Sequence, residues 1–143
     1  MNYFITFIKQ CHVMKKHILL IADNKNELTI FMDALRKVPH DDGFKCTYAA
    51  SASQAIEMLK YLVPDYIFAD FNTPGADSFN LLNYIKVQER FKKTKLCLFS
   101  NHTNVATQTT LNPFYIQKTN DVGLLASSLS GYLDYRSEPE HTF

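Results

Sequence analysis

The sequence carries almost no excess of charge: 15 Lys and Arg stand against 14 Asp and Glu over 143 residues, a net charge of +1, with the two signs interspersed. This excludes the basic stripe that neutralises phosphates along DNA or RNA, so nucleic acid is not an expected partner. Long apolar runs are also lacking. Residues 1–8 (MNYFITFI) are largely apolar, yet they are far too short to cross a bilayer and have neither a basic n-region nor a small-residue cleavage site. No membrane association is expected, and the expected location is cytoplasmic. Cysteine is sparse and unpatterned: Cys11, Cys46 and Cys97 are odd in number and form no CxxC pair. That argues against a disulfide framework or a zinc site and for reduced, largely buried thiols. The five histidines, His12, His17, His40, His102 and His141, fit no HExxH or other ligand spacing. There is no repeat, low-complexity segment or linker. What is there, 46% hydrophobic and 20% charged, suits one globular domain with a real core. Residues 16–135 read as that domain, 1–15 as an N-terminal extension and 136–143 as a loose tail; whether the chain starts at Met1 or at Met14 stays open.

Three short, mostly apolar runs, 17–21 (HILLI), 66–69 (YIFA) and 95–99 (KLCLF), have the composition of parallel strands covered on both faces. Residues 44–49 (FKCTYA) instead alternate, with Phe44, Cys46 and Tyr48 on one side, and 114–117 follow Pro113 and carry the polar Gln117. Both read as edge strands. Between them lie helical spacings: Leu28, Phe31, Met32, Leu35; Ala52, Ala55, Ile56, Leu59; Leu81, Leu82, Ile85; and Val122, Leu125, Ala126, Leu129, Tyr132, Leu133. Strand and helix alternating in this way predict an α/β, flavodoxin-like (βα)5 domain: a doubly wound, parallel five-stranded sheet in the order 2-1-3-4-5.

In such open sheets ligands bind beyond the carboxyl ends of the strands, so the residues at which each strand stops are the informative ones. The first stops at Ala22-Asp23, the third at Asp70, the fourth at Ser100 and the fifth at Lys118. Each has an ordinary explanation alone: Asp23 or Ser100 as a helix cap, Asp70 as the start of a turn with Pro74-Gly75, Lys118 as a solvated charge. Their convergence at one edge does not, because charged groups beside a dry core are costly unless they are partnered or used.

These segments, in this order, resemble the bacterial response-regulator receiver (CheY-like) family. Residues 17–24 (HILLIADN) are similar to its first strand and acidic pocket, 64–75 (PDYIFADFNTPG) to its phosphoacceptor segment, 99–101 (FSN) to its hydroxyl-bearing fourth-strand end, and 115–118 (YIQK) to its fifth strand. The likeness runs over residues 16–133. It implies a single-domain receiver of a two-component phosphorelay, phosphorylated on Asp70 by a sensor histidine kinase or a histidine phosphotransfer protein. Such a domain signals by binding a downstream protein, and is no enzyme beyond its own phosphotransfer and dephosphorylation. On the same resemblance Mg²⁺ is the cofactor, held by Asp23, Asp70 and the backbone carbonyl of Asn72. Lys118 and Ser100 contact the phosphoryl oxygens, Ser100 and Tyr115 form the switch, and Asn72 and His102 tune the lifetime of the phosphorylated state. Independent chemistry agrees, since a carboxylate attacking an anionic phosphoryl group needs a metal and a cation against the charge gathering on the equatorial oxygens.

Four features depart from the family pattern. Ala22 replaces the first acid of its pair, which predicts weaker Mg²⁺ binding. Thr119 replaces the proline that follows the lysine in a cis bond; a cis bond before threonine costs roughly 3–4 kcal/mol, so a trans or a strained Lys118 loop is expected. Ser78 stands in place of a turn glycine, and Ser78 or Asp77 is expected to cap the third helix. The stretch from Ser100 to Lys118 is short, leaving only about residues 104–110 for a fourth helix and putting the family's usual output surface in question.

The alternative within the fold is a pseudo-receiver, an interaction module that is not phosphorylated. An aspartate-nucleophile phosphatase of the haloacid dehalogenase type is disfavoured because Asn72 stands where its general acid would be. A flavin or nucleotide binder is disfavoured because the loop of residues 22–27 (ADNKNE) has no glycine and carries acids where a phosphate needs N–H groups.

Overall fold

The computed structural model describes residues 16–39, 43–70, 76–100 and 114–133. The first strand, β1 (Lys16–Ala22), shows why an unbroken apolar run belongs at the centre of a sheet. Successive side chains point to opposite faces. Ile18 and Leu20 enter one core while Leu19 and Ile21 enter another, and all four are buried. The third strand, β3 (Tyr66–Asp70), divides likewise, Tyr66 and Phe68 to the first core and Ile67 and Ala69 to the second. The sheet is five-stranded and wholly parallel in the order β2-β1-β3-β4-β5, with β2 at Phe44–Ala49, β4 at Lys95–Ser100 and β5 at Phe114–Gln117. The expected flavodoxin-like order is therefore the observed one, and β2 and β5 lie at the edges. Phe44, Cys46 and Tyr48 do share one side of β2, packed on the first core.

Four α-helices are described: α1 (Lys25–Arg36), α2 (Ala52–Leu59), α3 (Ala76–Lys86) and α4 (Val122–Tyr132). The first core is closed by α1 and α4 through Phe31, Ala34, Leu35, Leu125 and Leu129. The second is closed by α2 and α3 through Ala52, Ala55, Leu59, Leu81 and Ile85. The expected short helix at about residues 104–110 falls outside the described residues, as do the extension of residues 1–15 and the tail beyond 133.

The helix starts correct the expectation that Ser78 or Asp77 caps the third helix and set aside the ordinary reading of Asp23 as a cap. Asn24, not Asp23, caps α1, its side chain accepting a hydrogen bond from the Asn26 N–H at 2.8 Å. Helix α3 starts at Ala76, so Asp77 and Ser78 lie within its first turn and neither precedes it. Ser51 and Asp121 cap α2 and α4 by accepting from the N–H groups of Gln54 and Leu124. Of the cysteines, Cys97 is fully buried, Cys46 is half-buried and both are free thiols, while Cys11 lies outside the described residues.

Candidate functional site

Register brings the strand ends into one row: Ala22 of β1 pairs with Asp70 of β3, Asp70 with Phe99 of β4, and Phe99 with Ile116 of β5. Asp23 and Ser100 stand one residue along from that row and Lys118 two, so all four strand-end positions picked from the sequence lie at one edge. Asp70 is the only charged residue buried in the core among the described residues, its side chain 5% exposed. Strand β3 is buried on both faces throughout its length, and that placement carries its last residue into the interior.

The Lys118 ammonium stands 3.2 Å from Asp70 Oδ2. It also stands 3.4 Å from Oε2 of Glu27, and the Lys118 and Glu27 side chains are only 17% and 18% exposed. The three line a small pocket with Thr119, floored by Phe31 and Phe99. Burial pushes the Asp70 carboxyl up to about 6 from 3.8; the Lys118 hydrogen bond and charge pull it back only in part, and Glu27 raises it further. Burial lowers the Lys118 pKa, but Asp70 and then Glu27 outweigh that and leave it raised. The chemical result is an ammonium held between two carboxylates, one of them partly desolvated.

Asp23 is exposed, directly after β1. Beside it the Tyr48 hydroxyl donates a 2.7 Å hydrogen bond from edge strand β2 to the Ala22 carbonyl, fixing the peptide that leads into Asp23. Tyr115 is half-buried on β5, paired in register with Leu98. The backbone of Ser100 ends β4 at this edge, and its side chain lies outside the described residues, as do Asn72 and His102 entirely. No described peptide bond is cis, so of the two expectations for Lys118–Thr119 the trans bond is the one found. Among the described residues no three of His, Cys, Asp and Glu gather as a metal-ligand group.

Glu27 is the site residue that sequence reasoning missed. A signal existed: Glu27, Phe31 and Ala34 are spaced 4 and 3 apart, so the glutamate sits at the head of the buried stripe of α1.

No family model matches the chain, and no curated protein matches it by sequence. Solved structures do match. The phosphorylated cyanobacterial phytochrome response regulator RcpA is 22% identical, with a TM-score of 0.70 over 85% of this chain and 94% of its own. The chemotaxis response regulator CheY4 of Vibrio cholerae is 18% identical, with a TM-score of 0.68 over 84% of this chain and 100% of its own. A two-component response regulator from Legionella pneumophila is 20% identical, with a TM-score of 0.67 over 85% and 99%. The chain has the response-regulator receiver fold. In this receiver fold the buried Asp70–Lys118 pair lies at the carboxyl edge of the sheet, where an open α/β sheet places its ligands.

Proposed function

We propose that this protein is a single-domain receiver that takes a phosphoryl group on Asp70 and signals through contacts with another protein. The observation that carries the reading is the burial of Asp70 against Lys118 at 3.2 Å on the strand edge. A carboxylate 5% exposed and drawn toward neutrality is costly to keep, and phosphoryl acceptance gives it a use.

In the proposed step an oxygen of Asp70 forms the bond to phosphorus as the P–N bond of a donor phosphohistidine breaks. The leaving imidazole nitrogen keeps the electron pair and takes a proton from solvent. Lys118 turns from the carboxylate to an equatorial phosphoryl oxygen, Ser100 donates to another, and Tyr115 changes rotamer, a shift between two states of a small element. Asn72 and His102 would tune the lifetime of the acyl phosphate.

The donor set fits Mg²⁺: carboxylate oxygens predominate, and Asp70, Glu27 and Lys118 together leave one net negative charge before Asp23 is counted. Asp23, Asp70 and the Asn72 carbonyl would hold the ion, which would neutralise charge on the phosphoryl oxygens. The donor would be a sensor histidine kinase or a histidine phosphotransfer protein, and the site of action the cytoplasm; no helix among the described residues is long and apolar enough to cross a membrane.

Incubation with acetyl phosphate and Mg²⁺ should add one phosphoryl group by intact mass, and Asp70→Asn should take up none. One observation favours a second reading: Ala22, wholly buried beside Asp70, supplies no acid. A wild type that stays unmodified under forcing conditions would make the chain a pseudo-receiver.

A further inference from the structure

Glu27 is the third residue of α1, a position at which glutamate ordinarily reaches back to the cap or lies in water near the free N–H groups of the first turn. Here its carboxylate faces inward, 18% exposed, with Oε2 3.4 Å from the Lys118 ammonium. Removing a carboxylate from water this far is unfavourable without a charged partner, and its partner is the same ammonium that Asp70 uses. Two acids from different elements therefore share one base, and only Asp70 has a role in the reaction proposed above. The helix carrying Glu27 is fixed independently of Asp70, because Phe31, Ala34 and Leu35 seat it in the core.

Resting on the phosphoacceptor reading, we propose that Glu27 is a positioning residue that tethers the Lys118 ammonium in the pocket while Asp70 changes from carboxylate to acyl phosphate. The exchange demands such a tether. When an Asp70 oxygen becomes the ester oxygen, the negative charge moves outward onto the phosphoryl group, and Lys118 must leave one partner for another. Lysine is a point charge on a flexible four-carbon stem, so a second, unreacting carboxylate keeps it within reach of both. Glu27 also supplies, from the helix, the second pocket carboxylate that Ala22 does not supply from β1.

The tether is tested by amine acylation, which needs no phosphorylation. Acetylation of the folded protein by an N-hydroxysuccinimide ester, read at Lys118 by peptide mass spectrometry, should be slow in the wild type. It should rise several-fold in Glu27→Gln and in Asp70→Asn, and reach the rate of exposed Lys37 in the double variant. Asp33→Asn, which removes an exposed acid paired with Arg36 on the same helix, should leave Lys118 unchanged. Glu27→Met, which fills the same space without a buried charge, should repeat the Gln result and covers a failure of Glu27→Gln to fold. Lys118 labelling that is unchanged in both Glu27 variants, or raised equally by Asp33→Asn, overturns the tether. With acetyl phosphate and Mg²⁺, Glu27→Gln should then gain phosphate several-fold more slowly than wild type; equal rates overturn its part in the reaction. A wild type that takes up no phosphate sinks the phosphoacceptor reading and with it that part, and the acylation result still decides the tether.

Discussion

Ala22 and Asp70 are register partners on adjacent central strands, so a methyl group stands in the row beside the buried carboxylate. Charge around Asp70 therefore comes from elsewhere, from Lys118 across the sheet and Glu27 above it.

This environment makes folding stability depend on pH through Asp70. Burial raises its folded pKa to about 6, above the unfolded value of 3.8. Between those values the folded state holds a proton that the unfolded chain has released, so stability is full below about pH 4, falls as pH rises to about 6, and is flat above. A shift of about two units is worth roughly 3 kcal/mol. With a chelator present, Asp70→Asn should match wild type near pH 4 and exceed it by roughly that amount at pH 7 in denaturant unfolding. His17, whose pKa is lowered by burial and then by Lys45, is common to both proteins and cancels in the difference. An offset independent of pH would show that Asp70 titrates like an exposed carboxylate.

Tyr48 ties the edge strand to the mouth of the site. Tyr48→Phe removes the hydrogen bond to the Ala22 carbonyl and keeps the ring on the core, so it should cost about 1 kcal/mol, seen as a lower denaturant midpoint at unchanged slope. No change in midpoint would mean that water takes over the carbonyl at no cost.

The two described thiols should be inert in the folded protein. Burial pushes Cys46 up to about 11 and Cys97 higher still, and the thiolate is the reactive form. At neutral pH Cys46 should alkylate roughly two orders of magnitude more slowly than free cysteine, and Cys97 only as fast as the protein opens. Mass spectrometry after timed iodoacetamide treatment separates the two; rapid modification of Cys97 would contradict its burial.

The central strands were legible because a strand buried on both faces must be apolar at every position, as 18–21 and 66–69 are. Asp70 was legible for the same reason, as an acid closing a run with no other polar residue. Asp23 and Asn24 are equally good caps by type, and only the distance from the end of β1 to the first turn of α1 made Asn24 the cap. Glu27 was hidden by the same ambiguity: an acid in a first turn is ordinary, and it becomes a site residue only when α1 packs against β1 and α4 so that Lys118 comes within 3.4 Å. That placement is a matter of tertiary packing, which residue spacing within one helix does not encode.

Restoring the acid at position 22 tests the pocket as a cation site. Ala22 is wholly buried, so Ala22→Asp adds volume and places a third carboxylate near Asp70 and Glu27, which already share Lys118. In metal-free protein the repulsion and desolvation should lower stability by roughly 1–3 kcal/mol and raise the pKa of at least one of the acids. A dication gains from each nearby anionic oxygen, even through a bound water, so Mg²⁺ affinity should rise by about 1 kcal/mol, close to tenfold, at high effective dielectric. Because a ligand that binds only the folded state raises the melting temperature according to its affinity, the variant should melt below wild type in chelator and show the larger shift as Mg²⁺ is added. Thermal melts of both proteins across a Mg²⁺ titration decide it. A variant that responds to Mg²⁺ no more than wild type would mean that the acids at this strand edge do not frame a metal site, and the phosphoacceptor reading would lose the cation it needs.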